Sequence, residues 1–453
     1  MNVSGLAAAL DGAVLEPGSG GFEEARSVWN MRFDRRPELV ARCASRRDVG
    51  VAVDFARQNG LRLSVKGGGH SYAAHSVGEG GLLLDLSAMT AVAIDPARRS
   101  ATVEGGVTCA GFDAAAQEHG LATPVPTVSS VGVIGAALGG GSGYLSRRHG
   151  LTLDNVVSAD LVTADGREVH ASADEHPDLF WAIRGGGGNF GVVTRLELRL
   201  HPVGPEVLSG QIIYPFDDAP TLFRAFRDFM AAAPDELQCY PFCFKAPPID
   251  AFPAELHGKA LLDFVVFHAN PDAVDAVQPL RELGAPILDN VGRAPYVTAQ
   301  TGFDANLPTG QRYLSKAHDL AALSDGAIDV MVAFVPEMQG PLSAAYFDPM
   351  GGAIGRVDPA TTAFAGRQAP YGFQVLAGWM DAAMDEPVGR WASEFHAAMA
   401  EHATGGVYVN LIADDEPDRV PAAYGDNYAR LVELKRTWDP DNLFRGNYNI
   451  PPR

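Results

Sequence analysis

The residues best suited to chemistry gather in one short run, Lys66-Gly67-Gly68-Gly69-His70-Ser71. Neutral imidazole is a nucleophile near pH 7, and a glycine turn at the end of a strand presents it rigidly. Two further glycine clusters follow, Gly139 to Gly143 and Gly185 to Gly188. Successive residues without Cβ let backbone N–H groups converge on one concavity, which holds a pyrophosphate without Lys or Arg. One such cluster ordinarily marks a tight turn or close packing; three between residues 67 and 188 point to a large ligand lying between segments. The formal G-x-G-x-x-G at Gly186 to Gly191 precedes a strand rather than opening a helix, so it is not a Rossmann fingerprint. Walker, H-E-x-x-H and G-x-S-x-G patterns are absent from the sequence, which removes support for a kinase or hydrolase.

Those residues need elements to hold them. Ser45 to Gly60 reads as a helix, with an S-x-x-D start, Val49, Ala52, Val53 and Ala56 on one face, and Asn59-Gly60 as the stop. A strand through Leu61, Leu63 and Val65 then runs directly into the glycine turn at His70. Further strands are predicted at Leu82 to Leu86, Ala101 to Glu104, Val156 to Thr163 and Arg167 to His170, with Asp165-Gly166 as a hairpin turn. A short helix at Pro177 to Arg184 precedes a half-exposed strand ending at Leu200. Glycine runs stop near residue 203 and proline becomes frequent, which places a domain boundary there. Tyr424 to Thr437 reads as a helix near the C-terminus.

The chain has 453 residues, 35 Lys+Arg and 55 Asp+Glu, a formal charge of −20. Residues 1–200 carry only −4 of it and the remainder −16. Acidity of this kind excludes a nucleic-acid backbone as the main ligand, and no basic run suits an anionic membrane. It favours a neutral or cationic small substrate over an anionic one. Glycine, at 50 residues, is about 11% against a usual ~7%, and the excess lies in the runs. Cys43, Cys109, Cys239 and Cys243 are too few for a disulfide scaffold, and no His cluster accompanies Cys239 and Cys243 to suggest a metal. Few cysteines, no basic leader region and no 18-residue apolar run lead to the expectation of a soluble, cytoplasmic protein. Thirty Arg against five Lys fits a GC-rich bacterial coding bias.

Val65-Lys66-Gly67-Gly68-Gly69-His70-Ser71-Tyr72, Leu84-Asp85-Leu86-Ser87, Gly139 to Leu151, Gly188 to Thr194 and Asn447-Tyr448-Asn449-Ile450-Pro451-Pro452 together resemble the berberine-bridge-enzyme-like flavoproteins of the vanillyl-alcohol-oxidase superfamily. Motif order is kept over nearly the whole chain, and the similarity is greatest to bacterial members of the 6-hydroxy-D-nicotine oxidase type. The resemblance implies an α+β fold. A two-subdomain FAD-binding domain (1–203, with a C-terminal return over 406–453) is interrupted by a substrate domain (204–405), an antiparallel sheet covered by helices.

It further implies FAD joined covalently to His70 through the flavin 8α-methyl. Cofactor contacts are implied at Lys66, Gly67, Gly68, Gly69, Ser71, Val131, Gly132, Gly135, Gly140, Gly143, Tyr144, Val193, Tyr448 and Asn449. Many relatives add a second bond from a Cys in T-C-P-T-V-G; Val128 stands there, so a single bond is expected, and Cys109 matches no family thiol. Val131 occupies the position that gates oxygen, and its small side chain resembles the oxidases. The second tyrosine of the family's Y-x-N-Y is Leu411, which leaves Tyr408, Asn410 and Tyr448 as candidate bases or hydrogen-bond partners, with Tyr346 and Asp348 as candidates from the inserted domain. The implied activity is removal of hydride from a C–H beside O or N, with O2 reoxidising the flavin to give H2O2. An oxidative cyclase of a natural-product pathway and a catalytically silent flavin-binding protein stay open as alternatives.

Overall fold

The computed structural model describes residues 2–250 and 252–453. Its first sheet has four strands in the order Ala13–Leu15, Leu39–Arg42, Leu82–Asp85, Leu63–Lys66, the last three parallel. Parallel strands need both faces covered, and the Arg46–Asn59 helix supplies one cover through Val49, Ala52, Val53 and Ala56, all fully buried. Ser45 caps that helix by accepting from the Asp48 N–H, as expected. The Asp48 carboxylate does not close a capping box. It accepts instead from the backbone N–H groups of Asp11, Gly12 and Ala44, tying the N-terminal segment to the helix start.

A second, antiparallel sheet runs Val92–Asp95, Ser100–Glu104, Val192–Arg199, Val156–Val162, Glu168–Ser172. Its core includes Val409, Ile412, Val420, Tyr424, Leu431 and Ile450, so the C-terminal segment closes onto it. The helix expected over Tyr424 to Thr437 is two helices, Val420–Tyr424 and Tyr428–Trp438, broken at Gly425 in a left-handed conformation. Lys435 is fully buried in the second. Its ammonium donates to Asp439 at 2.6 Å and to the carbonyls of Asn189 at 2.7 Å and Phe444 at 2.9 Å. These bonds compensate a desolvation cost that an unpaired buried charge could not meet.

The third sheet is antiparallel and eight-stranded, ordered Leu288–Asp289, Glu206–Pro215, Ala260–His268, Leu237–Lys245, Ala344–Pro349, Tyr371–Trp379, Arg312–Leu320, with Gly292–Pro295 also pairing to Glu206–Pro215. Helices Ala219–Ala232, Asp325–Phe334 and Asp385–Met399 cover one face. Leu222, Phe223, Phe226 and Met230 from the first of them enter that core, each contributing about 1.5–3 kcal/mol by burial. Strand alternation sends Ala345 and Phe347 into it and turns Tyr346 and Asp348 to the opposite face. Cys239 and Cys243 lie on the core face of one strand, four residues apart, roughly 13 Å and too far to bridge. All four thiols are free. Among the described residues no helix is long and apolar enough to cross a membrane, and no group of His, Cys, Asp or Glu could hold a metal ion.

Candidate active site

A cleft with about 210 Å³ of free interior opens between the first two sheets and the C-terminal segment. Of the residues singled out in the sequence, Gly67, Ser71, Gly135, Val193, Asn410 and Tyr448 line it. No charged side chain does. Backbone donors take that place. Among the described residues the N–H groups of Gly67, Gly68, Gly69, Gly187 and Gly188 meet no protein acceptor, nor do those of Ile134 and Gly135 in the first turn of the Val133–Gly139 helix. Such converging dipoles suit an anionic ligand. Asn447 lines the cleft with a buried Oδ1 that lacks a partner, as does the Oδ1 of Asn449 close by in sequence. Unmet hydrogen-bonding groups around an uncharged cleft fit a large polar cofactor with a pyrophosphate, as FAD is.

The middle glycine cluster works differently from the other two. Gly140 donates to Ala136 and Ala137, Gly141 to the Tyr408 hydroxyl, and Gly143 to Ser146 Oγ, so these N–H groups are not free for a phosphate. A Cβ on Gly140 would stand 2.6 Å from the Tyr408 ring, and one on Gly143 would strike the Val125 carbonyl. This cluster makes room for protein atoms. Gly68 and Gly132 likewise serve a backbone-to-backbone approach between two loops, each lacking room for a Cβ beside the other. Lys66 points away from the cleft, donating to the carbonyls of Ala25 at 2.5 Å and Ser27 at 3.1 Å. Tyr144 is buried elsewhere, stacked on Phe267 at 4.9 Å, where an interior ring contributes packing rather than cofactor contact.

Beyond the Leu63–Lys66 strand, Gly69 takes φ 72°, and His70 follows between Gly67 and Ser71, which line the cleft, without lining it itself. The imidazole stacks on Trp29 at 4.9 Å, Trp29 stacks on Tyr313 at 3.9 Å, and His70 Nε2 lies 2.7 Å from Ser130 Oγ. Burial pushes the His70 pKa down to about 4 against the opposing pull of Asp304. The ring is therefore neutral at physiological pH, the form that can act as a nucleophile. Val131 packs at the edge of the second-sheet core, and its carbonyl accepts from the Cys109 N–H. Cys109 itself is fully buried.

The three tyrosine and asparagine candidates are all engaged. Tyr408 Oη accepts from the Gly141 N–H at 2.6 Å and from Asn410 Nδ2 at 3.0 Å, while burial raises its pKa to about 12. Asn410 Nδ2 also reaches the Ala136 carbonyl at 3.3 Å. Tyr448 Oη donates to the Ile412 carbonyl at 2.7 Å, and burial pushes its pKa up strongly. Neither phenol ionises near neutrality, and an amide is no base, so this trio fits a positioning role.

The better base was only a secondary candidate. Asp348 is half-buried on the outward face of the third sheet, its Oδ1 enclosed and without a partner and its Oδ2 accepting from Ser142 Oγ at 3.4 Å. Burial raises its pKa to about 7, with Ser142 and Arg147 opposing. Around it lie the candidate Tyr346 and, beside it, hydroxyl and amide groups of Gln374, Ser315 and Tyr72 that sequence reasoning did not assign. Tyr346 donates to Gln374 Oε1, Gln374 Nε2 donates to Ser315 Oγ at 2.9 Å, and Ser315 Oγ donates to the Leu411 carbonyl at 3.0 Å. Tyr72 also reaches Gln374 and meets Trp29 edge to face at 5.4 Å. The strand period could have placed Gln374 opposite its core-facing neighbours Phe373 and Val375, but only pairing in space joins it to Tyr346 and Ser315.

Comparison with known proteins identifies the family. A family model described as "FAD binding domain" matches residues 37–172, and one described as "Berberine and berberine like" matches 407–451. The chain is 32% identical over 466 residues to (R)-6-hydroxynicotine oxidase of Paenarthrobacter nicotinovorans, covering 98% of this chain and 97% of that one. It is 30% identical over 452 residues to an FAD-linked oxidoreductase of Bacillus subtilis, with the same coverage. The crystal structure of 6-hydroxy-D-nicotine oxidase from Arthrobacter nicotinovorans superposes with a TM-score of 0.87 at 28% identity, covering 98% of each chain. Glucooligosaccharide oxidase from Acremonium strictum, described with a 6-S-cysteinyl, 8α-N1-histidyl FAD, gives 0.87 at 25% identity over the whole of both chains. A glycine-walled cleft fit for a dinucleotide, a C-terminal return that closes it and full-length similarity place this chain in the berberine-bridge-like family of FAD-linked oxidoreductases.

Proposed function

We propose that the protein is an FAD oxidase that carries its flavin on a single covalent bond from His70 and removes hydride from a C–H beside O or N of a small neutral or cationic molecule. The observation that carries this reading is Asp348, a half-buried acid with one enclosed, unpartnered oxygen and a pKa near the operating pH. It stands on a sheet face whose polar groups meet the His70 side of the molecule through Tyr346, Gln374 and Tyr72. FAD bound in the cleft supplies a two-electron acceptor whose electrons pass to O2, giving H2O2.

The chain's own residues do the rest. Asp348 accepts the O–H or N–H proton of the substrate on Oδ1, and Ser142 holds its other oxygen in place. Tyr346 and Gln374, linked to Ser315, orient the substrate, while the aromatic rings of Tyr240 and Phe242 exclude water beside it. Tyr408 and Asn410 brace the Gly139 to Gly141 backbone. Gly67, Ser71, Gly135, Val193 and Tyr448, which line the cleft, would hold the flavin, with Asn449 beside them in sequence, and Val131 would leave room for O2. Val128 offers no second thiol. We place the domain limits at 203 and 405, with the acidic remainder of the chain mostly in the substrate domain.

Acid precipitation tests the attachment. Yellow chromophore stays with the wild-type pellet and leaves the pellet of His70→Ala. Free flavin in the wild-type supernatant overturns the covalent bond, and chromophore retained by the variant assigns it to another residue. H2O2 release during substrate screening tests the oxidase reading, which reduced flavin persisting in air for minutes would overturn.

A further inference from the structure

His70 is gripped from two sides. Trp29 stacks on its face, and Ser130 Oγ sits 2.7 Å from Nε2, while among the described residues Nδ1 makes no hydrogen bond. The turn that carries Ser130 is itself pinned at several points. The N–H groups of Cys109 and Ala110, at the start of the Cys109–Gln117 helix, donate to the carbonyls of Val131 and Ser129 at 2.9 and 2.8 Å. Asp304, from the other half of the molecule, accepts from the Ser129 N–H at 2.8 Å and from Ser129 Oγ at 2.5 Å. Gly68 and Gly132 bring the His70 loop and this turn into backbone contact too close for a side chain on either.

We propose that Ser130 is the positioning residue for covalent attachment of flavin to His70, and that Asp304 anchors it. This rests on the attachment reading above. With the hydroxyl accepting from Nε2–H, the lone pair lies on Nδ1, and that nitrogen is the nucleophile. Attachment forms a bond between Nδ1 and the flavin 8α carbon and breaks one C–H bond there. The 8α carbon and the imidazole each release a proton, and the electron pair of the broken C–H passes into the isoalloxazine, which is reduced. O2 takes up the two electrons and two protons as H2O2 and leaves the linked flavin oxidised. Ser130 stabilises the positive charge that the ring carries while the new bond forms, and holds Nδ1 on line.

The test compares flavin bound before acid precipitation with flavin retained in the pellet, for wild type, S130A, S130T, D304N and H70A purified as yellow holoproteins. Losing one hydrogen bond at the bond-forming step lowers attachment by a factor of about ten or more. S130A is therefore expected to bind flavin as wild type does but to attach it about tenfold or more slowly, so that soon after expression at most about a tenth as much stays in its pellet. S130T should restore retention, and D304N should fall between. Wild-type retention by S130A overturns the proposal, and so does an S130A loss that S130T leaves unrepaired, because that is general damage. If S130A does not fold, S130C carries the same expectation, its thiol being a weak acceptor. Flavin retained by H70A defeats the attachment reading itself, whereas flavin lost from H70A but kept by S130A defeats the role of Ser130 alone.

Discussion

The two sides of the site solve opposite electrostatic problems. Among the described residues the cleft side presents free backbone N–H groups from Gly67, Ile134, Gly135, Gly187 and Gly188 and no charged side chain. The sheet side presents a half-buried carboxyl, Asp348, surrounded by Tyr240, Tyr346 and Gln374. Fixed dipoles hold a permanent charge on a ligand without titrating, whereas a group that must take up a proton needs a pKa near the working pH. On the proposed function, binding is built into the backbone and proton transfer is left to one side chain whose ionisation burial controls.

That contrast breaks most sharply at Asp348. Asp348→Asn should lower kcat/KM by roughly 10²–10⁴ while leaving flavin content unchanged. Because burial raises this carboxyl, the base form fills as pH climbs through about 7, so wild-type activity should rise across that range and the variant should be flat. A pH–rate profile of both proteins reads it; an unchanged rising limb in Asp348→Asn would assign the base elsewhere.

Lys435 probes the closure of the cleft side. Lys435→Met leaves Asp439 buried with its charge unpaired and should cost about 3–5 kcal/mol, measured by denaturant unfolding. Gly140 probes the cluster assigned to packing. At φ 149° and with no space beside Tyr408, Gly140→Ala should cost about 1–3 kcal/mol in the same measurement. Unchanged stability together with weakened flavin binding would return this cluster to the cofactor.

The smallest effect concerns Asp113, a buried acid outside the catalytic face that accepts from Gln300 Nε2 at 3.0 Å. Burial raises its pKa to about 7. A raised folded-state carboxyl favours the fold fully at low pH, and that contribution fades as pH rises from about 4 through 7. Asp113→Asn should therefore raise Tm by a few degrees at pH 8 and change it least at pH 4, followed by thermal melts across that range.

Much of the fold was legible in the chain. The Ser45 cap, the alternation of Leu61, Leu63 and Val65 and the turn at Asp165-Gly166 are local patterns, and local patterns survive because the groups that satisfy each other are neighbours in sequence. The break at Gly425 was missed because the apolar spacing continues across it. Glycine-rich runs could be located but not sorted: Gly67 and Gly140 look alike in sequence, and only the position of Tyr408, 268 residues after Gly140, separates an open donor from a packed one.

By itself, then, the sequence determined an α+β flavoprotein with His70 in a glycine turn, since glycine and histidine in that order express backbone requirements directly. Tertiary structure decided which glycines keep free N–H groups, why Tyr408 and Tyr448 stay protonated, and why Asp348 is poised to titrate. Those properties depend on burial and on partners brought from distant strands, and desolvation is a property of the folded surroundings rather than of the residue.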